Sequence, residues 1–202
     1  MFKRLILIVL TLCLLLGTAA CGTSGGEGAT LVYGSTDYTR INPALDEHCE
    51  INALLFDGLT DHDGTGSIIP RLAKSWELDE VTNTYTFHLE ENVKWHDGEP
   101  FTAEDVRFTI EAIMDPANES ENAPNYEDVE EITVPDEHTV CFRLSAPNYA
   151  FLEYMTMPIL PKHLLESENW QASEFFLHPV GTGPYRFVSW DVGQAITMEK
   201  NP

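Results

Sequence analysis

The sequence predicts an α+β fold, mixed α and β, with hairpin-rich sheets, short helices and no regular alternation of strand and helix. Three observations predict it. In residues 84–89 Tyr85, Phe87 and Leu89 alternate with Thr84, Thr86 and His88, the period of a strand with one face in a core. Val140, Phe142 and Leu144 repeat that alternation. Between them Val106, Ile110 and Ile113 recur at the spacing of one helix face, and Asp115-Pro116 ends the run.

The elements follow in order. Lys3 and Arg4 precede a nearly unbroken apolar run at residues 5–16, LILIVLTLCLLL. That run is too short for a comfortable membrane span and suits the core of a signal peptide. Small residues then lead to Cys21 in GTAAC, similar to a bacterial lipobox, although Thr18 stands where leucine is more usual. The expectation is a lipoprotein signal peptide over 1–20, with a lipid on Cys21 as the membrane anchor. An ordinary secretory signal cut after Ala20, or an uncleaved anchor helix, stays open. GTSGGEG, residues 22–28, continues as a flexible tether, so 21–30 forms the lipidated cysteine and linker.

Residues 29–34, ATLVYG, read as a first strand. Ile51, Leu54, Leu55 and Leu59 have helical spacing, with an end near Gly58; DHDGTG at 61–66 reads as a loop. Residues 75–78 and 84–89 form one candidate hairpin, and 129–134 with 139–144 another. The stretch 115–128 is an acidic loop. Two short helices are expected at 151–157 and 161–166, with Pro161 suited to a helix start. A last hairpin runs through 185–190 and 195–199.

Charge narrows the function. With 33 acidic against 11 basic residues and a net charge of −22, the chain repels phosphate backbones, which argues against nucleic acid as a partner. Cysteine use is thin. Beyond Cys13 and Cys21 only Cys49 and Cys141 remain, either paired in an oxidising compartment or with Cys141 as a buried free thiol. No spacing of Cys and His suggests zinc, and no cofactor is expected.

The stretch WHDGEPFTAEDV, residues 95–106, gathers His96, Asp97, Glu99, Glu104 and Asp105. Acid–base or metal chemistry there would need a convergent pocket and further ligands. A local explanation is complete without either. Asp97-Gly98 is a turn pair, and Thr102 is an N-cap with Asp105 reaching back. Phe101 and Val106 form a hydrophobic staple, and Glu104 and Asp105 sit where the helix dipole favours negative charge.

The longer segment YTFHLEENVKWHDGEPFTAEDV, residues 85–106, resembles the signature of bacterial extracellular solute-binding proteins of the oligopeptide, dipeptide and nickel class, family 5. NALLFDGLT at 52–60, MPILPKHLL at 157–165 and PVGTGPYRFVSW at 179–190 resemble further family segments in the same order. In that last segment Gly181, Thr182, Gly183, Pro184 and Tyr185 read as a turn and strand entry. A phosphate cradle is disfavoured because no Lys-bearing helix follows.

The resemblance implies a periplasmic-binding-protein-like (class II) fold of two lobes. Residues 31–202 then form the N-terminal part of the first lobe, a fragment without the second, with weak or absent ligand binding expected of it alone. It implies a monomeric binding protein, not an enzyme. It would capture an oligo- or dipeptide for an ABC permease, anchored at the outer face of the cytoplasmic membrane or in the periplasm. Nickel complexes, oligosaccharides or another small solute are alternative cargoes. A secreted hydrolase is the alternative of another class, and GxSxG and HExxH motifs are both missing. By the same resemblance Asp46, Glu47, His48 and Cys49, together with Tyr126 in the acidic loop, are candidate ligand-facing residues.

Overall fold

The computed structural model describes residues 30–35, 40–45 and 50–202. The chain divides into two units, residues 1–36 and 37–202. In the first unit the described residues 30–35 are irregular, and Leu31 and Val32 are 86% and 88% exposed. Of the strand expected at 29–34, the described residues 30–34 form none. A strand needs a ladder partner, and every named pairing among the described residues joins strands between 60 and 200.

The second unit starts with a one-turn helix α1 (Asn52–Leu55), followed by hairpin β1 (Thr60–His62) and β2 (Ile68–Pro70). Here the structure corrects the loop expected at 61–66. Asp61 and His62 pair with Ile69 and Ile68, and only the turn beyond them is irregular. In that turn the Asp63 carboxylate accepts from Thr65 and Ser67 amides and the Thr65 hydroxyl, at 2.6–3.0 Å. These bonds hold it below the usual carboxylate range.

Strands β3 (Ala73–Asp79), β4 (Thr84–Leu89), β5 (Val129–Asp136) and β6 (Thr139–Leu144) form an antiparallel sheet in the order β3-β4-β6-β5. The alternation read from the sequence sets its two faces. Tyr85, Phe87 and Leu89 on β4, and Val140, Phe142 and Leu144 on β6, are all buried. Their neighbours Thr84, Thr86, Thr139 and Cys141 lie half-buried on the other face. Cys141 carries a free thiol, which accepts from the Thr86 hydroxyl at 3.6 Å.

Helix α2 (Ala103–Met114) packs over β5 and β6 through the buried side chains Val106, Ile110 and Ile113. Its start is as expected. Asp105 accepts from the Thr102 amide at 2.8 Å, completing a capping box, and Phe101 and Val106 are buried on either side. The acidic stretch 115–128 is not an unbroken loop. It holds two 3-10 turns, Pro116–Asn118 and Ala123–Tyr126. Helices α3 (Phe151–Tyr154) and α4 (Lys162–Leu165) follow, the second behind Pro161, then a 3-10 turn Glu174–Leu177. Phe151 closes the core against Tyr85 and Phe142, with ring centroids 5.2 and 5.4 Å away. Strands β7 (Tyr185–Asp191) and β8 (Ala195–Lys200) pair as a separate hairpin. No helix among the described residues is long and apolar enough to cross a membrane.

Candidate solute-binding cleft

The histidine of WHDGEP is committed to the backbone. The Gly181 amide donates to His96 Nδ1 at 3.1 Å, which fixes the neutral tautomer, and Nε2–H then donates to the Gly183 carbonyl at 3.0 Å. The His96 amide adds a bond to the Gly181 carbonyl at 2.9 Å. Burial holds the imidazole below its ordinary value, in keeping with a neutral structural ring. Asp97 lies 2.8 Å from His163 Nε2 and caps its own turn through the Glu99 amide. Gly98 supplies the left-handed φ of +98° that the turn requires. Trp95 is 2% exposed and meets Phe101 edge to face. Asp105 also accepts from the Lys162 amide at 3.0 Å, and burial raises its pKa despite these bonds.

The turn at 181–185 is a docking segment. A Cβ at Gly181 would stand 1.8 Å from the Leu55 carbonyl oxygen, and one at Gly183 would stand 2.6 Å from the Leu55 carbonyl carbon. Glycine lets the two backbones touch, and the Gly183 amide donates to Leu55 at 3.0 Å. Thr182 donates to Asp57 at 3.2 Å, and Arg71 Nε donates to the other oxygen of the same carboxylate at 2.8 Å. Pro184 offers its carbonyl to the Asn201 amide, and Tyr185 opens β7.

This scaffold places one cleft, of about 420 Å³, at the end of α1. Asn52, Ala53, Phe56, Asp57, Gly58, Thr60 and Asp61 line it from α1, the residues after it and the start of β1. Glu153, Tyr154, Thr156, Met157 and Pro158, from the end of α3 and the residues after it, line it as well. Backbone bonds hold the walls together. Leu59 and Thr60 donate to the Met155 carbonyl, Ile159 donates to Asp57, and the Thr60 hydroxyl donates to Leu152 at 2.9 Å. Pro43, Glu50, Arg71, Asn122 and Asn125 complete the lining. The lining therefore carries four carboxylates, Glu50, Asp57, Asp61 and Glu153, against one guanidinium, Arg71.

The candidate residues fall unevenly. Cys21, Asp46, Glu47, His48 and Cys49 lie outside the described residues. The segment holding the last four joins Leu45 to Glu50, which lines the cleft. Tyr126 does not offer its ring to a ligand, which corrects the expectation for it. Its 3-10 turn points the ring inward, where it is 0% exposed and donates to the Tyr154 carbonyl at 2.7 Å. Burial pushes its phenol pKa up. The same segment instead presents Asn122 and Asn125 to the cleft. Sequence reasoning missed these two, along with Asn52, Phe56, Asp57, Arg71 and Glu153. NALLFDGLT contains six of the cleft residues, three of them on this missed list, yet it reads as an apolar helix. Among the described residues no group of three or more His, Cys, Asp and Glu side chains is arranged to hold a metal ion.

The geometry defines a partial periplasmic-binding-protein-like fold with an open cleft, and comparison with known proteins agrees. Residues 67–202 match the family described as bacterial extracellular solute-binding proteins, family 5, and the chain belongs to that family. It is 32% identical over 184 residues to protein XP55 of Streptomyces lividans, covering 90% of this chain and 33% of that protein. Among solved structures it is similar to NikZ from Campylobacter jejuni in complex with Ni(L-His). The TM-score is 0.79 at 41% identity, over 82% of this chain and 34% of NikZ. It is also similar to the oligopeptide-binding protein AppA from Bacillus subtilis in complex with a nonapeptide. There the TM-score is 0.75 at 28% identity, over 82% of this chain and 34% of AppA. The chain thus spans about a third of the length of the relatives it matches.

Proposed function

We propose that this chain belongs to the solute-binding component of an ABC importer. The component captures a peptide or comparable small solute outside the cytoplasmic membrane and presents it to a membrane permease. The observation that carries the reading is the cleft of about 420 Å³ at the end of α1, in a chain of family 5. Its walls join an apolar surface of Phe56, Met157 and Pro158 to polar groups at Asn52, Thr60 and Asn125. Pockets for small molecules typically combine apolar walls with a few placed polar groups. No bond to the solute is made or broken. Capture works by differential affinity: the solute gains contacts from a second surface only in the closed state and so shifts the open–closed equilibrium.

A second reading keeps the fold and changes the cargo to a metal chelate. Its support is the similarity to NikZ, whose structure holds Ni(L-His), together with His62, which lies 2.7 Å from Glu153 at the cleft wall. Anchoring through a lipid on Cys21, with residues 1–20 as a signal peptide and 21–30 as a tether, is part of the proposal. It is supported by the apolar run and the small residues before Cys21. Monomeric action is proposed alongside it.

The test is thermal unfolding of the protein against tripeptides and nickel–histidine, with each solute analysed by mass spectrometry afterwards. A solute at tenfold its Kd stabilises by about 1.4 kcal/mol, a rise of about 3–6 °C. The reading expects such a rise for one class of solute and its recovery unchanged. Hydrolysis of a peptide, or no shift with any of them, would overturn it.

A further inference from the structure

Resting on the reading of this cleft as the solute site, we propose that Asn122 and Asn125 form a carboxamide pair that recognises a peptide link of the solute. Asn122 carries the argument. It lines the cleft yet is only 2% exposed. Its side-chain nitrogen donates to the Ala44 carbonyl at 3.4 Å, which assigns that atom as the nitrogen and leaves the oxygen on the other side. The oxygen takes no donor from the described residues. Unlike the Asn52 oxygen, it is not sealed from the surface. A nearly buried acceptor that is open to the cleft and lacks a donor calls for one from a bound molecule. The side chain is also held in place. The Ser120 hydroxyl donates to the same Ala44 carbonyl and accepts from the Asn122 amide at 3.2 Å.

Asn125 supplies the complement. It is half-buried on the same lining, and its side chain makes no hydrogen bond to the described residues. The Asn125 amide donates to the Asn122 carbonyl at 3.0 Å, and the 3-10 turn Ala123–Tyr126 begins between them. Residues three apart eclipse one another in a 3-10 turn, so both carboxamides lie on one side of it. Together they offer an acceptor at Asn122 and N–H donors at Asn125. A peptide link carries the matching N–H and C=O. A carboxylate has no donor for Asn122, and an ammonium has no acceptor for Asn125. The pair is neutral, and a neutral amide gives up less hydration on entering than an ion does.

The experiment is a titration of the 15N-labelled chain, followed by NMR, with Ala-Ala-Ala and the two analogues in which an ester oxygen replaces one of its peptide N–H groups. One ester is expected to bind about fivefold more weakly than the peptide, the loss of one hydrogen bond. In Asn122→Ala that ratio should shrink to about twofold or less, because the ester then lacks a bond that the peptide lacks too. The Ala44 carbonyl keeps the Ser120 hydroxyl in this variant, so the fold should survive. Asn125→Ala should weaken the peptide about fivefold with the melting temperature unchanged, since its side chain holds nothing in the described protein. Equal binding of peptide and esters, an ester ratio that persists in Asn122→Ala, or an Asn125→Ala variant with full affinity would overturn the pairing and leave the solute-binding reading intact. So would binding of nickel–histidine with no binding of the tripeptide. Binding of none of these solutes would overturn both.

Discussion

Replacing His96 with alanine tests the structural reading of the WHDGEP turn. The substitution removes two hydrogen bonds, from Nε2 to Gly183 at 3.0 Å and from the Gly181 amide to Nδ1 at 3.1 Å. Their loss is not symmetric. The Gly183 carbonyl keeps a donor in the Asn201 side-chain amide at 3.1 Å, so that bond costs about 1 kcal/mol. The Gly181 amide is left without an acceptor beside the Leu55 backbone, a cost of about 1–3 kcal/mol. The expected destabilisation is therefore about 3 kcal/mol, or about 1.5 M in urea midpoint for a slope of about 2 kcal/mol per M. The assay is urea unfolding followed by circular dichroism.

The pH dependence adds a sign. Burial holds the folded pKa of His96 below the unfolded value of 6.5. The unfolded chain therefore binds the proton more readily, and stability falls as pH drops from 6.5 through the lower folded value. The variant lacks this dependence, so the gap between the two proteins narrows on acidification. An unchanged midpoint, or a gap that widens as pH falls, would refute the assignment.

Gly181→Ala should cost about 3 kcal/mol or prevent folding, because its Cβ would overlap the Leu55 carbonyl. Gly64→Ala, with open space around it, is the control expected to leave the melting temperature unchanged. Tyr126→Phe removes the bond to Tyr154 and should cost about 1 kcal/mol in urea unfolding with no change in solute affinity; a selective loss of affinity would restore a ligand role. Burial raises the folded pKa of Asp105 above 3.8, so its contribution is present below that pH and is lost as pH rises through the folded value. The stability of the wild type relative to Asp105→Asn should accordingly decline over the acid range, measured as urea midpoints from about pH 3.5 to pH 7.

What the sequence revealed follows from how local each feature is. The inward faces of β4 and β6 were legible because a period of two survives whatever packs on it, and the α2 entry because cap and staple lie within five residues of each other. The role of His96 was only half legible. Its turn is written in Asp97-Gly98, but its partners sit more than eighty residues away in the segment at 181–185. Tyr126 was misplaced because an aromatic in a polar loop carries no sign of which way a 3-10 turn will point it. The cleft was not legible at all. It is assembled from the end of α1, the β1 strand, a 3-10 turn and α3, and its polar members are single residues in apolar or acidic stretches. The described part of the strand expected at 29–34, residues 30–34, is irregular, since an apolar run alone does not specify a ladder.

The most direct test of the central claim is to map where a solute lies. A tripeptide carrying a photoreactive side chain is bound to the protein, illuminated, and its attachment sites are read by mass spectrometry. The account predicts labels on the cleft walls, at Phe56, Asp61, Asn125, Tyr154 and Met157, and an intact peptide in the supernatant. Labels concentrated on the polar face of the sheet, around Thr86, Thr139 and Cys141, or recovery of a cleaved peptide, would contradict it.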